Sequence, residues 1–226
     1  MKQDLIWEYY QNEAPGIFTG TRARLTFLAE KLKKDSKVLN IGVGAGVFEQ
    51  AAIRLGLDPY SLDPDRRCIE ALRHSLGMGE KAQVGYSSKL PFPEAFFDAV
   101  VTSELLEHLA ESDMMATLGE IHRVLLVGGR YLGTVPARED LSAQIVICPD
   151  CGKRFHRWGH VQSFNVKHLR EILSQKFEVE ELCERPYVNY PSLNWKGKIG
   201  GFIKLALWWA GIHGSGECIY FCARKP

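Results

Sequence analysis

Three groups of residues have types and spacings that could do chemistry. The first is an apolar strand, Val38-Leu39-Asn40-Ile41, that runs into Gly42-Val43-Gly44-Ala45-Gly46. Alternating glycines between a strand and a helix let a ligand approach the backbone closely, and they direct free helix N–H groups at its polar end. The dinucleotide fingerprint would place its third glycine where Val47 stands, so the pattern is G-x-G-x-G and not G-x-G-x-x-G. Asp63 closes the next apolar run, Tyr60-Ser61-Leu62-Asp63, 17 positions beyond Gly46, a spacing that suits a carboxylate accepting hydrogen bonds from a ribose. Pro64 adds a flat apolar surface against which an adenine ring could lie.

The second group is Glu104-x-x-Glu107-His108. Two carboxylates and an imidazole within one helical turn could hold a divalent cation, or Glu107 and His108 could hydrogen-bond locally and orient a substrate-side loop. His108 is the candidate general base, because imidazole titrates near working pH. The third group is Cys148-Pro149-Asp150-Cys151-Gly152 followed by His156 and His160, a C-x-x-C and H-x-x-x-H arrangement with the Pro and Gly of a metal-binding knuckle. Cys148, Cys151, His156 and His160 are expected to form a closed zinc site, which would be structural because no coordination position stays open. The other reading is two free thiols and hydrogen-bonded histidines. Lys153, Arg154, Arg157 and Trp158 read as the solvated rim of that loop.

These groups need a framework to hold them. The pattern predicts an amphipathic helix over 21–34, a strand at 38–41, a helix at 47–55, a strand at 59–62, a helix at 65–76 and a strand at 82–85. Such alternation marks a parallel sheet with helices on both faces, and such sheets bind ligands at the carboxyl ends of their strands, where the glycines and Asp63 fall. A strand follows at 131–135, a helix within 161–176 capped at Ser163 or Asn165, a strand at 177–182 and a closing strand at 217–224. His122 reads as a packing or surface residue, and Cys68, Cys183, Cys218 and Cys222 as core thiols.

At 226 residues and 46% hydrophobic content the chain can bury a substantial core as one domain with elaborations. A formal net charge of +1, from 28 Lys and Arg against 27 Asp and Glu, gives no global signature of nucleic-acid binding. Met1-Lys2-Gln3-Asp4 is not a signal-peptide start and no run is long enough for a bilayer span, so a cytoplasmic protein is expected. Six cysteines with a single C-x-x-C pair read as reduced thiols plus a metal site. Trp7, Tyr9 and Tyr10, before a Pro15-Gly16 break, could cap a pocket or pack outside the sheet. Ile199 to Ile212 is apolar nearly all round; it could cover an apolar acceptor, rest in a membrane interface with Lys196, Lys198 and Lys204 toward head groups, or form a buried or dimer contact.

The glycine loop, the block from Val84 to Leu109 containing Tyr86-Ser87-Ser88 and Thr102-Ser103-Glu104, and Glu120-Ile121-His122-Arg123-Val124-Leu125-Leu126-Val127-Gly128-Gly129-Arg130 together resemble the class I S-adenosylmethionine-dependent methyltransferases, in the small-molecule and quinone branch. The likeness covers roughly residues 21–135, with weaker agreement to the end. It implies a Rossmann-like α/β fold with a mainly parallel seven-stranded sheet. It also implies that Gly42, Gly44 and Gly46 wrap the methionine part of the cofactor, that Asp63 holds the ribose and that Tyr86, Ser87 and Ser88 read the adenine edge. Ser103 and Glu104 would then lie beneath the methionine, beside His108. Two positions depart from the family pattern: Asn40 stands where an acid contacts the cofactor's amino group, and Tyr86 where an acid meets the adenine amino group.

The expectation is therefore one methyltransferase domain over 1–226, with an N-terminal helical cap at 1–35, an inserted metal knuckle at 145–162 and an apolar helical cover at 190–215. S-adenosylmethionine is the expected co-substrate and zinc the expected structural metal. The expected partner is a small-molecule methyl acceptor, a sugar or lipid-linked compound among the options, with peripheral membrane contact and a homodimer as further partners. Two rivals are a nucleic-acid methyltransferase guided by the knuckle and a non-catalytic S-adenosylmethionine-binding protein.

Overall fold

The computed structural model describes residues 6, 7, 9, 10, 13, 21–214 and 216–226; the Pro15-Gly16 break lies outside them. Strands β1 (Lys37–Ile41), β2 (Asp58–Asp63), β3 (Ala82–Val84), β4 (Phe97–Ser103), β5 (Leu125–Pro136), β8 (Glu178–Arg185) and β9 (Cys218–Arg224) form a seven-stranded sheet in the order β3-β2-β1-β4-β5-β9-β8. The first five pair in parallel and β9 runs antiparallel between β5 and β8. The expected Rossmann-like sheet is the one observed. β1 is buried without interruption from Val38 to Ile41 because it is covered on both faces, as central strands of parallel sheets are.

One face of the sheet packs on α1 (Arg22–Glu30) and α2 (Val47–Arg54) through Leu28, Ala29, Phe48 and Ala52. The other packs on α4 (Glu111–Val124) and α5 (Val166–Leu173) through Leu118, Ile121, Leu169 and Leu173. Helix α3 (Arg66–Leu76) lies over the β2–β3 end through Ile69 and Leu72. Its start is capped by Asp65, which accepts from the Arg67 N–H at 2.7 Å, and Asn165 caps α5 by accepting from the His168 N–H at 2.9 Å. Ser163, the other cap considered, donates to the Glu139 carbonyl instead.

Strand β5 begins six residues before the expected position because Gly128 and Gly129 do not end it. Gly128 takes φ +75° and the β4 register shifts between Phe97 and Ala99, so the glycines absorb a bulge inside the strand. Cys183 is exposed and not a core thiol, because it lies on edge strand β8, whereas Cys218 and Cys222 on the interior strand β9 are buried.

The inserted segment is a two-stranded hairpin, β6 (Ile145–Ile147) and β7 (Arg154–His156), with Cys148 to Gly152 at its tip. Helix α6 (Trp195–Trp209) follows β8. Among the described residues no helix is long and apolar enough to cross a membrane.

Gly133 in β5 has no room for a side chain: a Cβ there would lie 2.5 Å from the Thr102 carbonyl and 2.5 Å from the Phe221 ring. Gly133→Ala should therefore destabilise the protein by about 1–3 kcal/mol through overpacking, read as a lower urea midpoint with an unchanged slope.

Candidate functional site

Strand order reverses at β1, whose neighbours β2 and β4 connect to opposite faces of the sheet, and the loops leaving the carboxyl ends of β1 to β4 enclose a cavity of about 790 Å³. Gly42 and Gly44 line it with φ of +90° and +54°, and nothing lies within 4 Å of where a Cβ would stand at either. That is the bare backbone cradle expected of the loop. Gly46 does not line the cavity. It starts α2 at φ +70°, and a Cβ there would meet the Leu72 side chain at 2.9 Å, so its smallness serves the approach of α2 to α3.

Asp63 faces the cavity at the end of β2 while its Oδ2 accepts from the Val43 N–H and its Oδ1 from the Asp65 N–H, both at 2.8 Å. These bonds fix the carboxylate between two loops at the edge of the cavity. Pro64, Tyr86 and Ser87 line the same end. Ser87 shares a hydrogen bond with Thr117 at 2.8 Å, and Tyr86 is 60% exposed. Ser88 does not reach the cavity and is exposed, because the turn after β3 directs it outward.

Asn40 also departs from expectation. It is buried beneath the loop, where its Nδ2 donates to the Gly42 carbonyl at 3.2 Å and to Glu49 Oε1 at 2.7 Å. Ser61 donates to the same Glu49 oxygen at 2.8 Å. Burial pushes the Glu49 carboxyl above its ordinary range, only partly offset by the bonds from Asn40 and Ser61. Glu49 Oε2 and Asn40 Oδ1 have no partner, and a proton on Oε2 would turn one of these two acceptors into a donor. Glu49 was missed in the sequence; an acid beside Phe48 and Ala52 on the apolar face of a helix was the available signal.

On the far side, Ser103 ends β4 and Glu104 follows it at φ +56°, an uncommon conformation for a residue with a side chain. Both are gripped by Arg24 of α1, whose Nε donates to Ser103 Oγ at 2.9 Å and whose Nη1 lies 3.7 Å from Glu104 Oε2. Arg24 lines the cavity and carried no sequence signal beyond its place on a helix. Trp7 meets the His108 ring edge-on at 4.4 Å between centroids, and Tyr10 meets Trp158 at 4.9 Å, so the aromatic lead-in does wall the cavity.

His108 lies on this wall, but burial, with His160 and His156 nearby, pushes its pKa down to about 3. It is a neutral imidazole at working pH and too weak a proton acceptor for the expected general base.

The expected four-ligand zinc site does not assemble. Among the described residues neither Cys148 nor Cys151 joins two further His, Cys, Asp or Glu side chains with ligand atoms all within 4.8 Å of one another. The hairpin explains this: the cysteines occupy its tip, whereas His156 pairs with Ile145 at its base and His160 follows, beside Glu139 on the cavity wall. The tip still forms a knuckle, in which backbone N–H groups of Cys151 and Asp150 and the Cys151 side chain hold the Cys148 thiol below its ordinary pKa. Helix α6 does not line the cavity.

A family model described as a methyltransferase domain matches residues 39–133. The ribosomal protein L11 methyltransferase of Paraburkholderia phymatum is 30% identical over 98 residues, covering 40% of this chain and 32% of that protein. The mitochondrial ubiquinone biosynthesis O-methyltransferase of Mus musculus is 26% identical over 155 residues, covering 60% and 41%. The chain thus spans less than half the length of these curated relatives. Its fold superposes on the Burkholderia thailandensis 1,6-didemethyltoxoflavin-N1-methyltransferase with bound S-adenosylhomocysteine at a TM-score of 0.66 and 18% identity, covering 98% of this chain and 85% of that one. It also superposes on the N-methyltransferase NodS of Bradyrhizobium japonicum, likewise with S-adenosylhomocysteine, at 0.65 and 16%, covering 99% and 98%.

The buried Glu49 yields a pH prediction. Its folded-state pKa lies above the unfolded value of about 4.3, so its contribution is present below that pH and is lost as pH rises through the folded pKa. Glu49→Gln should therefore gain Tm relative to the parent chain at pH 8 and show less gain, or a loss, at pH 4, in thermal scans. The glycine loop, the carboxylate at the end of β2 and the sheet order agree with the family match: the chain has the Rossmann-like α/β fold of the methyltransferases, and its residues 39–133 are similar to a methyltransferase domain.

Proposed function

We propose that this chain transfers the methyl group of S-adenosylmethionine to an oxygen, nitrogen or carbon nucleophile of a small molecule. The observation that carries this reading is a single cavity with two unlike walls. One is the polar cradle of Gly42, Gly44 and Asp63, and the other is the aromatic and imidazole wall of Trp7, Tyr10, His108 and Trp158. The open space before Gly42 and Gly44 fits a ligand's close approach, and Asp63 fits its hydroxyls.

When bound, the cofactor supplies a methyl group already activated by a sulfonium charge. The protein's part is alignment and exclusion of water. Gly42 and Gly44 admit the ligand against backbone, and Asp63 fixes its sugar end. Arg24 locks Ser103 and Glu104 at the strand end, and the aromatic wall shields the reacting centre. Bound there, the sulfonium would supply its methyl to the acceptor nucleophile with the carbon–sulfur electron pair left on sulfur, and a proton carried by the acceptor would pass to water.

The acceptor or its carrier resides at a lipid surface in this reading. Helix α6 exposes Trp195, Ile199, Phe202, Ile203, Leu207 and Trp209, carries Lys196, Lys198 and Lys204, and has no acidic residue between its first and last positions. An apolar face with only cationic charge and a tryptophan at each end complements an anionic membrane interface.

Two outcomes are expected. S-adenosylhomocysteine should bind in calorimetric titration, and Gly44→Val should weaken it at least tenfold while far-UV circular dichroism stays unchanged; equal affinity would overturn the loop's assignment. The protein should float with phosphatidylglycerol vesicles and not with phosphatidylcholine vesicles, and a Phe202→Ser, Trp209→Ser variant should not float. Concentration-dependent dimerisation lost in that variant, without flotation of the parent, would assign the face to a second copy of the chain and overturn the lipid reading.

A further inference from the structure

We propose that Glu107, His108 and His160 form a divalent metal site on the wall of the cavity, with Glu139 and His156 holding His160 in place. Glu107 and His108 lie in the turn that follows β4, and His160 follows the inserted hairpin, so tertiary structure alone unites them. Their ligand atoms lie within 4.8 Å of one another.

The buried polar groups at this spot lack partners in a way that a cation resolves. The Glu107 carboxylate is wholly buried and neither oxygen accepts a hydrogen bond; the nearest His108 nitrogen is 3.8 Å away. Neither His108 nitrogen has a well-formed hydrogen bond, with only the Gly159 backbone leaning toward the ring. Arg24, the nearby cation, is engaged by Ser103 and Glu104. A buried carboxylate and a buried imidazole facing one another unsatisfied is costly, and a shared metal ion satisfies both.

His160 is prepared as a ligand. Its Nδ1 lies 2.5 Å from Glu139 Oε2, and an imidazole whose Nδ1–H donates to a carboxylate presents the Nε2 lone pair. Glu139 is oriented in turn by His156, whose Nε2 lies 3.5 Å from Glu139 Oε1. His156 Nδ1 accepts from the backbone N–H groups of Trp158 at 3.3 Å and His160 at 3.1 Å, so Nε2 carries the ring proton of the neutral side chain and faces Glu139. The hairpin thus delivers two histidines with different tasks, one ligand and one positioning residue.

One carboxylate and two imidazoles suit zinc or a neighbouring first-row ion better than magnesium. Three protein ligands leave a coordination position, and His108 and His160 both line the cavity, so that position faces the space where an acceptor would sit. This deepens the methyl-transfer reading, on which its substrate consequence rests: the acceptor class is a hydroxyl compound whose oxygen reaches the ion.

The test is metal content by plasma mass spectrometry and Zn²⁺ affinity by chelator competition on the full chain. One equivalent is expected in the parent and in a Cys148→Ser, Cys151→Ser variant. Glu107→Gln and His160→Ala should each bind at least tenfold more weakly, and Glu139→Gln should weaken binding less than His160→Ala. Should Glu107→Gln fail to fold, His160→Ala decides. Absence of bound metal with Zn²⁺ in excess overturns the site. Metal retained in His160→Ala but lost with the cysteines moves the ion to the hairpin tip and also overturns it. S-adenosylhomocysteine affinity, measured on the same samples, separates this from the parent reading: metal bound without it sinks the methyl-transfer reading alone.

Discussion

Where successive parallel strands run outward on one side of a strand and then resume on its other side, right-handed crossovers place the connections of the two sides on opposite faces of the sheet. β1 is that strand, and the gap that opens at its carboxyl end is the source of the cavity. The glycine loop, Asp63, Gly85 and Ser103 all occupy the same edge because each ends, or directly follows, one of four adjacent strands. The chemistry is therefore placed by strand pairing before any side chain is considered.

Keeping that edge in shape takes buried polar contacts, and they fall on two sides of the loop. Beneath it, Asn40, Glu49 and Ser61 form a closed group that ties β1, α2 and β2 together. Asn40 brings a buried amide beneath the loop, and Glu49, nine positions later, brings a carboxyl into the same layer. Beside the loop, Arg24 holds Ser103 and Glu104, whose positive φ turns the chain out of β4 and toward Glu107. Both groups combine residues from elements distant in the sequence, so each couples the local shape of the loop to the global packing of the sheet.

The inserted hairpin shows how spacing and geometry part company. In an extended ladder each residue advances about 3.3 Å, so residues at the tip and base of even a short hairpin face different surroundings. Cys148 and Cys151 meet solvent, whereas His156 and His160 meet the cavity wall and Glu139. A run of cysteines and histidines that reads as one knuckle is thereby divided between two ends of one motif.

The sequence alone determined the sheet, its helices and the loop, because these depend on local periodicity and on glycines that must adopt positive φ: Gly42 and Gly44 stand at the cavity as their pattern required. It also marked Asp63, Ser103 and His108, which sit at strand ends or just beyond them. Only the tertiary structure decided that Asn40 and Gly46 serve packing beneath the loop, that His108 is buried and neutral, and that Arg24 and Glu139 belong to the site. The physical reason is that burial, desolvation and ligand distance are properties of contacts between segments: Glu107 and His160 are separated by the whole of α4, β5 and the hairpin, and no local pattern states that they meet.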